Sequence, residues 1–184
     1  RNSPTVVPLA GVRWGRGRLR CMWGVDESTH MAGKEVSVGA NGAPRDARNW
    51  LKSLTTVEGG RWRTIEFSDR RGYIRAVNAG IAAAGGEYVI TLDADSYLQP
   101  QKRDDWVHIL QEPFLKDPAV GASSPFATSY PDIGQVRHSG CTMYKKADLL
   151  KLNPPLFDEA FNPGYLGDED LAIRIRKAGK RLVE

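Results

Sequence analysis

Apolar strand-like runs and amphipathic helix-like runs alternate along the first half of the chain, and the last of these strands ends on two acids. Thr5-Val6-Val7-Pro8-Leu9, ahead of Ala10-Gly11, is a candidate first strand. Lys34-Glu35-Val36-Ser37-Val38-Gly39 reads as a second, followed by the turn Asn41-Gly42-Ala43-Pro44. Asp46 to Leu54 reads as a helix with Asp46 as N-cap, because Ala47, Trp50, Leu51 and Leu54 recur on one helical face. Trp62 to Phe67 alternates as a strand does. Arg75 to Ala84, rich in alanine and apolar residues, predicts a helix stopped by Gly85-Gly86. Tyr88 to Leu92 then reads as a buried strand. This order predicts an α/β fold, with a mostly parallel central sheet flanked by helices and joined by right-handed crossovers.

The strand runs into Asp93-Ala94-Asp95. Residues i and i+2 of an extended chain point to one side, so both carboxylates are expected to face one spot beyond the strand's C-terminal end. Open α/β sheets bind their ligands there. Two acidic oxygens suit a hard divalent cation, Mn²⁺ or Mg²⁺, that takes its remaining ligands from water and phosphate.

The second half predicts a helix from Lys102 to Leu115 and a strand at Ala119 to Ser123. A loop at Ser129 to Gly134, a strand at Cys141 to Tyr144 and a short helix at Lys146 to Leu152 follow. Asp158 to Gly167 is irregular. Asp168 to Lys177 is a helix with Leu171, Ile175 and Ala178 packed and Arg174, Arg176 and Lys177 facing out, and Gly179 stops it. Arg181-Leu182-Val183 begins another strand. Asp168, Glu169 and Asp170 occupy the helix's first turn, where acids complement the helix dipole. Three in a row, after the Gly- and Pro-rich stretch Asn162 to Gly167, exceed what capping needs. A carboxylate there is a candidate general base toward an attacking hydroxyl.

The 184 residues are enough for one domain with a real core, and the net charge of +4 is mild. Two acidic clusters at the expected cleft argue against nucleic-acid binding. Arg13, Arg16, Arg18 and Arg20, in a stretch that includes a weak helical pattern at Arg18 to Trp23, read as a solvated loop. Contact with a phosphate-bearing ligand, or peripherally with an anionic membrane, is the alternative for them. No apolar run reaches the length of a membrane span and no signal peptide is legible. The chain opens on Arg1 rather than Met, so a piece of a longer protein is an open reading. Cys21 and Cys141 carry no metal-ligand spacing, which makes a reducing, cytoplasmic setting the expectation, with membrane association as its variant.

Two segments together resemble the family 2 glycosyltransferases. The first is Gly72-Tyr73-Ile74-Arg75-Ala76-Val77-Asn78-Ala79-Gly80-Ile81, running into Gly86-Glu87-Tyr88 and the Asp93-Ala94-Asp95 triplet. The second runs from Gly140-Cys141-Thr142-Met143-Tyr144 through Phe157-Asp158-Glu159-Ala160-Phe161 to Gly167-Asp168-Glu169-Asp170-Leu171, Arg174 and Ala178-Gly179. The resemblance implies a Rossmann-like GT-A fold over residues 1–184, with a nucleotide-sugar half to about residue 98 and an acceptor half after it. It implies inverting, metal-assisted transfer of a hexose from a UDP-, GDP- or dTDP-sugar to a hydroxyl of a glycan, lipid or protein, as in polysaccharide biosynthesis.

Roles follow residue by residue from the same resemblance. Asp95 would bind the metal, and Asp93 the metal or the donor's ribose. Pro8, Leu9 and Ala10 would meet the base at the end of the first strand. Arg75 and Asn78 would lie beside the nucleotide, and Asn41 at the end of the second strand. Asp168 would be the base, with Glu169 as its alternative. The sequence departs from the family where Ala40 replaces an Asp that reads the base and Gly167 replaces a Glu. A late metal-completing His has no counterpart, and His138 lies too early to serve. The competing readings are a non-catalytic sugar-nucleotide-binding scaffold and a haloacid-dehalogenase-type phosphatase.

Overall fold

The computed structural model describes residues 5–10, 35–42, 44–57, 62–93, 96, 98–99, 101–102, 104–125, 127–132, 134–136 and 140–184. The helical pattern at Arg18 to Trp23, Asp95 and His138 lie outside them. The first half alternates as expected: β1 (Thr5–Ala10), β2 (Glu35–Asn41), α1 (Arg45–Val57), β3 (Trp62–Phe67), α2 (Tyr73–Ala83) and β4 (Tyr88–Asp93). The second half holds α3 (Asp105–Lys116), β5 (Val120–Ser123), β6 (Thr128–Tyr130), β7 (Gly134–Val136) and β8 (Cys141–Lys145). It ends with α4 (Lys146–Leu149), a 3₁₀ turn at Glu159–Phe161, α5 (Gly167–Lys177) and β9 (Arg181–Val183). No helix among the described residues is long and apolar enough to cross a membrane.

Seven strands form one sheet in the order β3-β2-β1-β4-β8-β5-β9. The pairs β1–β2, β1–β4, β2–β3 and β5–β9 are parallel. Strand β8 is antiparallel to both of its neighbours, with Leu92 opposite Cys141 and Tyr88 opposite Lys145. The start of β8 therefore lies beside the end of β4.

Side-chain alternation along β4 and β8 divides the core in two. Tyr88, Ile90 and Leu92 of β4, with Cys141 and Met143 of β8, join one cluster with Leu51 of α1 and Trp106, Val107, Leu110 and Phe114 of α3. Val89 of β4 and Tyr144 of β8 join a second with Ile74, Val77 and Ile81 of α2 and Leu171 and Ile175 of α5. By the same alternation Asp93 belongs to the second face. That places its carboxylate on the side of the sheet where α2 and α5 pack.

Several elements differ from the sequence expectation for visible reasons. Asp46 sits in the first turn of α1 rather than capping it, because the Pro44 carbonyl already accepts from the Arg48 N–H at 3.0 Å. Helix α3 begins at Asp105, not Lys102, because Asp104 is left-handed with φ 68° and the helix cannot extend through it. The expected loop at Ser129 to Gly134 is a hairpin, β6–β7, that reverses around Pro131 and Asp132. Ala178 is exposed. Arg174 points inward: its guanidinium donates to the carbonyls of Pro154 and Leu156, each at 2.8 Å, and to Asp170 Oδ2 at 2.6 Å.

Candidate active site at the end of strand β4

Asp93 closes β4, and register fixes its surroundings. Leu9 of β1 is its neighbour on one side, which places the end of β1, with Pro8, Leu9 and Ala10, beside the carboxylate-bearing position. On the other side the Asp93 N–H donates to the Gly140 carbonyl at 3.0 Å. Ser96 completes a tight turn: its N–H donates to the Asp93 carbonyl at 3.0 Å and its hydroxyl to the Gly140 carbonyl at 2.8 Å. A Cβ at Gly140 would stand 3.4 Å from Asp93 Oδ2, so Gly140 lies directly against that carboxylate. The other oxygen, Oδ1, accepts from the Tyr73 hydroxyl at 3.0 Å.

The acids of α5 separate into different roles. Asp170 is half-buried and pairs with Arg174, so it serves the framework. Glu169 accepts from the hydroxyl of Tyr130 at 3.2 Å, across from hairpin β6–β7. Burial, then the Glu169 carboxylate, then Asp168 push the Tyr130 phenol upward. Asp168 lines the same narrow gap as Tyr144, Leu171 and Ala172. The Tyr144 phenol is held well above its ordinary value, first by burial and then by Asp168, with Asp93 adding to it against hydrogen bonds from Thr142 and Thr91. Asp93 and Asp168 stand 75 residues apart in the chain, and both raise the Tyr144 phenol.

The remaining expected residues make other contacts. The Asn41 amide, 8% exposed, accepts from the Arg71 N–H at 2.8 Å and donates to the Gly72 carbonyl at 3.0 Å. Asn78 likewise donates to the Phe157 carbonyl at 2.8 Å and accepts from the Phe157 N–H at 3.1 Å. Both side chains hold other segments in place. Arg75 is exposed and pairs with Glu159 at 3.1 Å. Ala40 is fully buried, so a carboxylate at that position would be desolvated. Gly167 is buried too, and a Cβ there would meet Ile74 Cδ1 at 2.6 Å, so a side chain at this position requires Ile74 to shift.

A large groove lies elsewhere. Its volume is about 1280 Å³, along the outer side of α2 between Phe67, Arg71 and Arg75 and the segment from Pro154 to Pro163. Neither Asp93 nor Asp168 lines it, and convergent chemistry marks a site better than size does.

Among the described residues no three His, Cys, Asp or Glu side chains come together as ligands for a metal. The donor chemistry at Asp93 nonetheless fits a hard cation. Its oxygens are carboxylate, the ligand such cations prefer. Cys141 turns to the other face of the sheet, into the cluster with Met143 and Trp106, and offers no competing soft ligand.

Sequence reasoning missed Tyr73 and Tyr130. Tyr73 carries no local signal, being one aromatic residue at a helix start. Tyr130 could have been found: it immediately precedes Pro131-Asp132, a turn dipeptide between two short polar strands.

Comparison with known proteins supplies the remaining evidence. Residues 20–165 match the family described as glycosyl transferase family 2. A search of the curated proteins returned no match. Among solved structures, the mannosyltransferase PcManGT from Pyrobaculum calidifontis, in complex with GDP-Man and Mn²⁺, superposes with a TM-score of 0.75 at 19% identity. The similarity covers 99% of this chain and 54% of that one. GalNAc-T7 with UDP, GalNAc and Mn²⁺ superposes with a TM-score of 0.77 at 15% identity, over 98% of this chain and 41% of that one. The chain thus spans about half the length of these structures, and at such identity the likeness carries the fold, which is GT-A.

Proposed function

The chain belongs to glycosyl transferase family 2, and we propose that it moves a sugar from a nucleotide-diphosphate sugar to an acceptor hydroxyl with inversion, its donor end at Asp93 and its base at Asp168. The observation that carries this reading is an acid at the end of β4, held by the Tyr73 hydroxyl on the face of the sheet where α5 packs with Asp168 in its first turn. The scaffold alternative would need neither acid in register with the other.

The chemistry follows from the arrangement. The acceptor oxygen attacks the anomeric carbon while the bond from that carbon to the diphosphate oxygen breaks, and the electron pair leaves with the diphosphate. Asp168 takes the proton of the acceptor hydroxyl. A single displacement through an oxocarbenium-like transition state inverts the anomeric centre. Asp93, with Asp95, would hold a Mn²⁺ or Mg²⁺ ion, which when bound supplies Lewis-acid stabilisation of charge on the leaving diphosphate. The GDP-Man and UDP of the two solved relatives, each with Mn²⁺, support this choice of donor class. The ends of β1 and β2 offer backbone to the nucleotide. Asn41 and Asn78 keep the neighbouring turns in place rather than reaching for it. Tyr130 orients Glu169 at the acceptor side.

Calorimetric titration with UDP, GDP and dTDP, with Mn²⁺ and then with EDTA, tests the donor half. One nucleotide is expected to bind only with the metal, and Asp93→Ala is expected to abolish that binding. A folded protein that binds none of the three would sink the reading.

A further inference from the structure

We propose that Tyr73 is a positioning residue that ties the donor side of this site to its acceptor side. Three different parts of the residue make three contacts. The hydroxyl donates to Asp93 Oδ1 at 3.0 Å. The backbone N–H donates to the Pro163 carbonyl at 2.7 Å. The ring base packs on Gly164, where an added Cβ would lie 3.2 Å from Tyr73 Cβ.

The segment so gripped is the strap that leads into α5 and Asp168. It is seated over the start of α2 by further contacts. Asn162 Nδ2 donates to the Arg71 carbonyl at 2.8 Å. Gly72, at φ 87°, leaves room for the Asn162 amide: a Cβ there would fall 2.1 Å from Asn162 Oδ1. At the strap's far end, Gly167 rests on Ile74, the residue after Tyr73. Both ends of the strap therefore bear on the first turn of α2, and that turn is itself held to the end of β2 by Asn41.

Ring packing alone does not explain the hydroxyl. A phenylalanine would fill the same space against Gly164. The O–H instead donates to one oxygen of Asp93 and fixes the carboxylate rotamer. Movement of the strap, on which an acceptor would press, is transmitted through Tyr73 to the orientation of Asp93. Coupling of this kind is a free energy shared by two sites, and a double-mutant cycle measures it. The inference rests on the donor reading of Asp93 given above.

The test is calorimetry of the binding nucleotide with Mn²⁺ on four proteins: the parent, Tyr73→Phe, Gly164→Ala and the double variant. Tyr73→Phe keeps the ring and is expected to weaken binding about three- to thirtyfold, the range of a hydrogen bond to a partly exposed charged group. Gly164→Ala is expected to weaken binding severalfold in the parent and to have no effect in the Tyr73→Phe background. Asn162→Ala, which loosens the strap without a new clash, should repeat that pattern. Thermal unfolding of each variant separates a fall in stability from a fall in affinity. Additive effects, or a Tyr73→Phe protein that binds as the parent does, overturn the coupling and leave the donor site standing. A parent protein that binds no nucleotide removes both.

Discussion

Replacing Arg174 with methionine keeps the length and apolar body of the side chain and deletes its charge. In the native protein the guanidinium is 10% exposed and Asp170 is 21% exposed. Nε reaches Asp170 Oδ2 at 2.6 Å, and Nη2 meets the same oxygen at 2.6 Å as an ion pair rather than an aligned hydrogen bond. Nη1 bridges the carbonyls of Pro154 and Leu156. The substitution thus strands one largely buried carboxylate and two carbonyls at once. Removing one partner of a buried pair costs about 3–5 kcal/mol. For a chain of this size that lowers the melting temperature by about 6–20 °C. Differential scanning calorimetry reads the change directly. Arg75→Met is the control: Arg75 and Glu159 are 52% and 54% exposed, and such pairs contribute only about 0–1 kcal/mol. If Arg174→Met melts within about 2 °C of the parent, or no lower than the Arg75→Met control, the reasoning from burial fails. The same variant should also lose activity, because Asp170 shares the first turn of α5 with Asp168.

Three further outcomes follow from the structure. Asp168→Asn is expected to slow turnover by about 10²–10⁴-fold without changing nucleotide affinity. Glu169→Gln should cost less, since Tyr130 already engages that carboxylate; the reverse order would move the base to Glu169. The Cys141 thiol, pushed up to about 12 by burial and Asp93, should resist Ellman's reagent at neutral pH in a Cys21→Ser protein until the fold opens. Above the free thiol's value of about 8.5 the unfolded chain ionises this group while the native one does not. Denaturant titrations should therefore show its stability contribution falling as pH rises, by up to about 1.4 kcal/mol per unit, and a flat profile would contradict the assignment. Gly72→Ala forces an L side chain to φ 87° and a Cβ into the Asn162 amide, and should destabilise by about 1–3 kcal/mol in the same titrations.

Much of the donor half was legible because its signals are local. Gly85-Gly86 stops one element, the Tyr88 to Leu92 run starts the next, and the pleat alone sets Asp93 on the face of α2. The acids at α5 were legible as a cluster, but not as three residues with three partners, because those partners lie in hairpin β6–β7, in β8 and within α5 itself. The direction of β8 was invisible: a strand has the same residue pattern whichever way it runs. Arg174 was misread as solvated because nothing local announces that the carbonyls of Pro154 and Leu156 need a donor. Tyr73 and Asp93 are 20 residues apart with a helix between them, and only the packed fold shows that they touch.

The reversal of β8 has a consequence for how such a protein can change over evolutionary time. Ser124, at the end of β5, donates its hydroxyl to the Cys141 carbonyl at 2.8 Å, and its N–H to the Val183 carbonyl at 3.1 Å. The excursion between residues 124 and 141 is thereby pinched shut at its base, on the same edge as Asp93. Lengthening a loop costs little, about 0.6 kcal/mol per doubling. Insertions at the exposed turn Pro131-Asp132 can therefore be absorbed, whereas Gly140, Val136 and Tyr130 are tied to the frame through Asp93, the core and Glu169.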